Sequence, residues 1–162
     1  MYENKVIHNP ERHIILPGGF YFGGLEDDIY TLLGSCVAVT LWHPVLKLAG
    51  MCHILLPKRG DALSSTRFAD CAIKNFLKVT REHNTTPAEY EVGLYGGGDM
   101  FPLVSKTKFE SVGSRNVKEM ERLLILEGFR IKYKDTQGQV ARKLTLNRLT
   151  GSISLEYVEM EN

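Results

Sequence analysis

Very little in this chain leans to one side. Lys and Arg number 20 against 19 Asp and Glu, a formal net charge of +1, so no surplus of cations marks a dedicated nucleic-acid surface. The densest basic cluster, Arg67, Lys74, Lys78 and Arg81, falls along one predicted helix and reads as its solvated face. No apolar run approaches the roughly 20 residues of a membrane helix, which argues against direct membrane insertion. Residues 1–13 mix charges early and lack an apolar centre, so no secretory signal is expected. Three cysteines without regular spacing cannot build a disulfide framework; they point to free thiols in a reducing compartment, with the cytoplasm as the expected location. Internal repeats and low-complexity blocks are missing too. What remains, at 162 residues, is the expectation of a single domain over the whole chain, long enough to bury a proper core.

Against that even background one stretch is specific. Leu33-Gly34-Ser35-Cys36-Val37-Ala38-Val39 sets a cysteine at the mouth of an apolar strand, just after a small flexible turn, and Cys52-His53 follows. Residues 36–42 and 48–55 read as two strands. The connector between them contains Pro44, which pre-sets a turn dihedral. An antiparallel hairpin centred between Pro44 and Val45 makes Cys36 face His53. Facing side chains in such a ladder have Cβ atoms roughly 4.5–5.5 Å apart. The same register turns Val37, Val39, Leu41, Leu48, Cys52 and Ile54 to an apolar core side, and a slip of one residue would reverse every assignment.

The remaining elements can be placed coarsely. Residues 1–24 form a loop-rich N-terminal segment in this reading, with Pro17-Gly18-Gly19 and Gly23-Gly24 breaking the aromatic run Phe20-Tyr21-Phe22. A short strand near 29–33 leads into the cysteine turn, and 57–64 is a polar loop. The spacing predicts a helix over 66–83 that buries Phe68, Ala72, Phe76, Leu77 and Val79. Cys71 on that helix is a small core residue. A strand over 92–95 exits through Gly96-Gly97-Gly98. A second helix runs over 112–127, with Val117, Met120, Leu123 and Leu124 inward and Gly128 as its stop. Strands at 129–134, 140–147 and 152–158 follow, the last two forming a hairpin. The class is α+β, a layered sandwich of mostly antiparallel or mixed sheet with two main helices.

The chemistry this permits starts from the thiol. An adjacent imidazole can accept its proton and activate it. Gly34 and Ser35 let a substrate come close, and the Cys36 amide with a neighbour can form an oxyanion hole. Gly97 and Gly98 supply a backbone-lined wall to the same pocket. Thr31, five residues before the cysteine, is the best local group to orient the imidazole. Such a set suits acyl transfer from an amide or ester without choosing among protease, amidase, deamidase and transglutaminase. Two plainer readings stand beside it. A Cys and a His on adjacent strands can simply be packing neighbours. Cys36, His43, Cys52 and His53 can be counted as zinc ligands, but they lack paired ligand spacing, and Cys52 and His53 point to opposite faces of a strand. Gly96-Gly97-Gly98-Asp99 is only loosely a phosphate cradle, since no Gly-Lys-Ser/Thr follows.

The run from Thr31 through Cys36 to Val39, with His53 seventeen residues on and Leu55-Leu56-Pro57 after it, resembles the CheD family of chemoreceptor glutamine deamidases. Gly96-Gly97-Gly98-Asp99-Met100-Phe101 is similar to that family's Gly-Gly-x-x-Met-Phe segment. Val112-Gly113-Ser114-Arg115-Asn116-Val117 resembles its Ile-Gly-x-Arg-Asn helix start. Asp135-Thr136-Gln137-Gly138 with Arg142, then Leu149-Thr150-Gly151, resembles its closing section, so the resemblance spans residues 25–158 in order. It implies a protein-glutamine glutaminase with Cys36 as nucleophile, His53 as acid and base, and Thr31 as the triad threonine. Some members carry that threonine one residue further from the cysteine, where this chain has Tyr30. The resemblance also implies methyl-accepting chemotaxis receptors as substrates, activity on their methyl esters, and work at chemoreceptor arrays in adaptation. It implies no cofactor. A CheC-type phosphatase of the response regulator is the partner it suggests, and a binding module that docks and stimulates that phosphatase is the alternative role. Receptor helices call for a shallow groove, for which residues 58–64, 96–98 and 20–22 are the expected lining.

Overall fold

The centre of the fold follows from one strand that is apolar on both faces. The computed structural model describes residues 2–24, 27–101 and 110–159. In order these form β1 (Tyr2–His8), β2 (Arg12–Gly24), β3 (Asp28–Leu33), β4 (Val37–Trp42), β5 (Leu48–Ile54), α1 (Ala69–Glu82), a 3-10 turn (Pro87–Glu89), β6 (Glu91–Gly96), α2 (Val112–Leu126), β7 (Ile131–Thr136), β8 (Val140–Leu146) and β9 (Ile153–Glu159). The strands make one mixed sheet in the order β7-β6-β4-β5-β2-β3-β8-β9, with β1 paired to β2 beside that path. β2–β3 and β6–β7 are parallel. Every residue of β4 is buried, as expected of a strand covered on both sides.

Side-chain alternation divides those β4 residues between two cores. Val37, Val39 and Leu41 join Phe20, Phe22, Cys52, Ile54, Val92 and Leu94 beneath the helices, which contribute Ala72, Phe76, Val117 and Met120. Ala38 and Trp42 face the other way, into a cluster with Ile29, Leu33, Met51, Tyr95, Leu144 and Leu146. Those residues come from strands far apart in the sheet order. They can meet only because the sheet curls until β3 and β8 cover its inner face. Each large side chain buried in this way contributes about 1.5–3 kcal/mol. The class is α+β with two main helices, as the sequence predicts.

Three sequence expectations need correction. Residues 1–24 are not loop-rich: β1 and β2 span nearly all of them. Pro17 does not end β2 because the chain bulges there. The β1–β2 register passes from Asn4↔Phe20 to Val6↔Ile15, so residues 16–19 stand opposite Lys5 alone, which adopts φ +51°. Phe20, Tyr21 and Phe22 are accordingly core, 0–1% exposed, and line no groove. Secondly, α1 starts at Ala69, since residues 66–68 are spent on extended pairing. Leu55 N donates to Arg67 O at 2.8 Å and Ala69 N to Leu56 O at 3.0 Å.

The third correction is the hairpin register. The structure pairs Ala38 with His53 and Val37 with Ile54, so the turn is centred between Val45 and Leu46. Four residues loop out: His43 N donates to Leu48 O at 2.8 Å and Lys47 N to His43 O at 2.9 Å, with Lys47 at φ +55°. His43 Nδ1 accepts from the Val45 and Leu46 amides, which stabilises the longer loop. The slip is of two residues, so it preserves every face assignment.

Candidate active site

Cys36 lies in the three-residue turn between β3 and β4, half-buried against the inner core. All three carbonyls of that turn are held. Gly98 N donates to Gly34 O at 2.9 Å and Gly97 N to Cys36 O at 2.8 Å, while Asn116 Nδ2 donates to Ser35 O at 3.3 Å. The wall that makes these bonds exists because it lacks side chains. A Cβ on Gly97 would stand 2.3 Å from Val117 Cγ2, and one on Gly113 would stand 2.4 Å from Gly97 O. The first turn of α2 therefore rests directly on the exit of β6. Met100 packs over the same place, within 3.3 Å of where a Gly34 Cβ would be. The Gly97 and Gly98 amides are thus engaged in holding the turn.

His53 sits on β5, 1% exposed. Its partner Ala38 belongs to the inner core, so the imidazole points to the face on which Cys36 also packs. Cys36 comes two residues before Ala38, which makes it a diagonal neighbour of His53. Diagonal pairs lie about 7–8 Å apart against roughly 4.5–5.5 Å for facing ones. His53 Nε2 is buried and makes no hydrogen bond among the described residues.

The other ring nitrogen is tied. Thr31 Oγ1 lies 2.7 Å from His53 Nδ1 and donates its single hydrogen to Ile15 O at 2.8 Å. Having no second hydrogen, the hydroxyl must accept from Nδ1–H. The neutral ring therefore carries its proton on Nδ1 and leaves a lone pair on Nε2. Thr31 reaches the ring because Ile29, Thr31 and Leu33 alternate inward along β3. Tyr30 points the opposite way, beneath the Arg12 guanidinium at 3.8 Å.

Electrostatics keep the pair neutral at rest. Burial lowers His53 to about 4 from its ordinary 6.5, and burial raises the Cys36 thiol above its ordinary 9.0. Both shifts favour the uncharged thiol and imidazole over the ion pair. Cys52 points to the outer core, where burial pushes its thiol up to about 12; it is inert packing. His43 is committed to its turn and to Glu89 Oε1 at 3.4 Å. Among the described residues no group of three or more His, Cys, Asp or Glu is arranged to hold a metal ion, and no helix is long and apolar enough to cross a membrane.

Two supporting residues escaped the sequence reading of the site. Asn116 is fully buried on α2 and donates to both Ser35 O and Leu55 O. Its signal was an Asn one helical turn from Gly113, on the inward stripe shared with Val117 and Met120. Arg142, 3% exposed, donates to Gln137 O at 2.7 Å. That turn holds the glycine wall from behind, Gln137 N donating to Gly96 O and Asp99 N to Gly138 O.

Comparison with known proteins bears on this geometry. The sequence pattern of a family described as "CheD chemotactic sensory transduction" matches residues 55–157. The chain is 37% identical over 145 residues to a protein of Dechloromonas aromatica named probable chemoreceptor glutamine deamidase CheD 3, covering 87% of this chain and 84% of that one. It is 33% identical over 147 residues to the Chromobacterium violaceum protein named probable chemoreceptor glutamine deamidase CheD 1 (88% and 76%). It is 35% identical over 150 residues to the Geobacter sulfurreducens protein named probable chemoreceptor glutamine deamidase CheD 2 (92% of each). Overlaps of this length take in residues 31–53 from whichever end they are trimmed.

Proposed function

The chain belongs to the CheD family, and from that premise we propose that it is a chemoreceptor glutamine deamidase, a thiol amidohydrolase that converts glutamine side chains of methyl-accepting chemotaxis receptors to glutamate. The observation that carries the reading is the Thr31–His53 hydrogen bond, which leaves a buried imidazole lone pair on the face where Cys36 packs.

In this reading a receptor glutamine enters over Gly34 and Ser35, with Gly97 and Gly98 as the wall behind it. The Cys36 thiol passes its proton to His53 Nε2 as Sγ bonds to the carboxamide carbon. The oxyanion that develops is met by amides of the Ser35–Cys36 turn. The imidazolium, held by Thr31 through Nδ1, returns its proton to the amide nitrogen, the C–N bond breaks and ammonia leaves. Water then gives a proton to Nε2 and attacks the thioester. The C–S bond breaks, the proton returns to sulfur, and a glutamic acid side chain is released, which gives its proton to solvent and becomes the carboxylate. A neutral resting pair suits this order, since the proton moves only when a substrate is present to receive it. The carboxylate is the group that a receptor methyltransferase esterifies, so the activity would tune adaptation at cytoplasmic receptor arrays.

Incubating a receptor cytoplasmic fragment with the protein tests this by mass spectrometry. Each converted glutamine adds about one dalton as amide is exchanged for acid. The gain is expected with the intact chain and absent with Cys36→Ala. An unchanged mass across several receptor fragments would overturn the proposal and leave docking of a CheC-type phosphatase as the role to pursue.

A further inference from the structure

We propose that Asn116 is a positioning residue that sets Cys36 against His53, its carboxamide acting as a rung where the β4–β5 ladder stops. The inference rests on the reading of Cys36 and His53 given above. The ladder ends at Val37↔Ile54, one rung short of the cysteine, and continuing it would set Cys36 opposite Leu55. The backbone does not continue it. Leu55 N turns to Arg67 O at 2.8 Å, and Cys36 O turns to Gly97 N at 2.8 Å. Asn116 fills the gap from α2, with Nδ2 donating to Leu55 O at 2.9 Å and to Ser35 O at 3.3 Å. One side chain thereby joins the residue before the nucleophile to the residue two past the base.

Two features separate this role from ordinary packing. Asn116 is 0% exposed, and its Oδ1 is buried with no hydrogen-bond partner among the described residues. An unpaired buried acceptor lowers stability, a cost that the fold bears alongside the two hydrogen bonds made by the other end of the amide. Secondly, α2 cannot shift without moving the turn, because Gly113, one helical turn earlier, is in backbone contact with Gly97 and Gly98. The amide therefore works from a fixed base, and the diagonal Cys36–His53 separation is set by its span.

The test compares wild type, Asn116→Ala and Asn116→Ser, whose shorter hydroxyl cannot span both carbonyls. Leu124→Ala is the control; it lies in the same helix, is 0% exposed and belongs to the outer core with Val117 and Met120. Two readouts are taken: kcat and KM for deamidation of a receptor fragment, and the pH profile of Cys36 alkylation by iodoacetamide, followed by peptide mapping. Misplacing reacting groups by an ångström costs on the order of 100-fold, so both Asn116 variants are expected to lose about 10- to 100-fold in kcat with little change in KM. Both should also shift the alkylation profile, while Leu124→Ala keeps the wild-type profile despite its lower melting point. Asn116 variants with the wild-type alkylation profile, or variants and control that decline together in proportion to lost stability, would overturn the proposal. Alkylation needs no receptor. A wild-type protein that fails to deamidate would therefore sink the functional reading while the profile still judged the clamp.

Discussion

Folding has to hold His53 in its neutral form, and that leaves a signature in stability. Its pKa falls from 6.5 to about 4 on burial, so between those values the unfolded chain binds a proton that the folded one refuses. Stability is then fully present above pH 6.5 and declines as pH falls towards 4. That lowering corresponds to roughly 3 kcal/mol. Urea unfolding of wild type and His53→Gln from pH 7.5 to 4 should show the wild type losing that much more than the variant. Parallel curves would mean that the ring is wetter than its 1% exposure indicates. Thr31 acts on the same ring through geometry. Thr31→Val leaves Nδ1–H and Ile15 O without their partner, frees the tautomer, and should cut kcat on the order of 100-fold. Thr31→Ser keeps the hydroxyl and most of the rate. A serine variant as slow as the valine one would remove the hydroxyl from the mechanism. The grouping of Thr31, Cys36 and His53 on one face was legible in the sequence, because thiol, imidazole and hydroxyl announce the chemistry they could carry. Their spacing was less so: the hairpin slipped by two residues, an even number, and only the direct pairing of Cys36 with His53 was lost.

At the scale of elements, legibility depended on what ended each one. Both helices carried clear apolar stripes and were placed to within a few residues, except that α1 yielded its first turn to pairing between Arg67 and Leu55. β2 was hidden because its bulge is built from Pro17, Gly18 and Gly19, residues that elsewhere end a strand. The β4–β5 and β8–β9 loops share one geometry that composition did not reveal. Asn147 N donates to Ser152 O and Gly151 N to Asn147 O, as His43 and Lys47 do in the other loop. Asn147 Oδ1 accepts from Leu149 N and Thr150 N, as His43 Nδ1 does from Val45 and Leu46. A pair of glycines tests whether the wall beside Cys36 is set by conformation or by space. Gly97 and Gly138 have φ of +68° and +74°, but a Cβ on Gly138 meets none of the described residues within 4 Å, whereas one on Gly97 strikes Val117 and Gly113. Gly138→Ala should cost about 1 kcal/mol for the left-handed backbone alone. Gly97→Ala should cost at least twice that and lower deamidation as well, measured by denaturation and turnover side by side. Equal costs would show that the α2–β6 contact opens freely.

The curl of the whole sheet brings its two ends together, and this was the least legible feature, because it depends on contacts between strands with no local signal. β7 and β9 terminate the hydrogen-bonded order, yet Asp135 on β7 receives Arg142 Nε from β8 at 2.9 Å and the Tyr157 hydroxyl from β9. Arg142 is nearly inaccessible, and its Nη1 is buried without a partner among the described residues, so its charge rests on Asp135 and the Gln137 carbonyl. Breaking a buried pair from one side costs about 3–5 kcal/mol, because the other charge is left stranded; Asp135 is 31% exposed, so the lower end of that range applies. Asp135→Ala should therefore be severely destabilised. Adding Arg142→Leu removes the stranded guanidinium, and the double variant should recover part of the loss, a coupling on the order of 1–3 kcal/mol. Its activity should stay low, however, because Gln137 O loses its donor and the turn that holds Gly96 O and Asp99 N loosens. A double-mutant cycle in urea, with turnover measured on the same four proteins, separates the two effects. Strict additivity would mean that the ends of the sheet are held by core packing alone, and full recovery of turnover would mean that the glycine wall needs no support from behind.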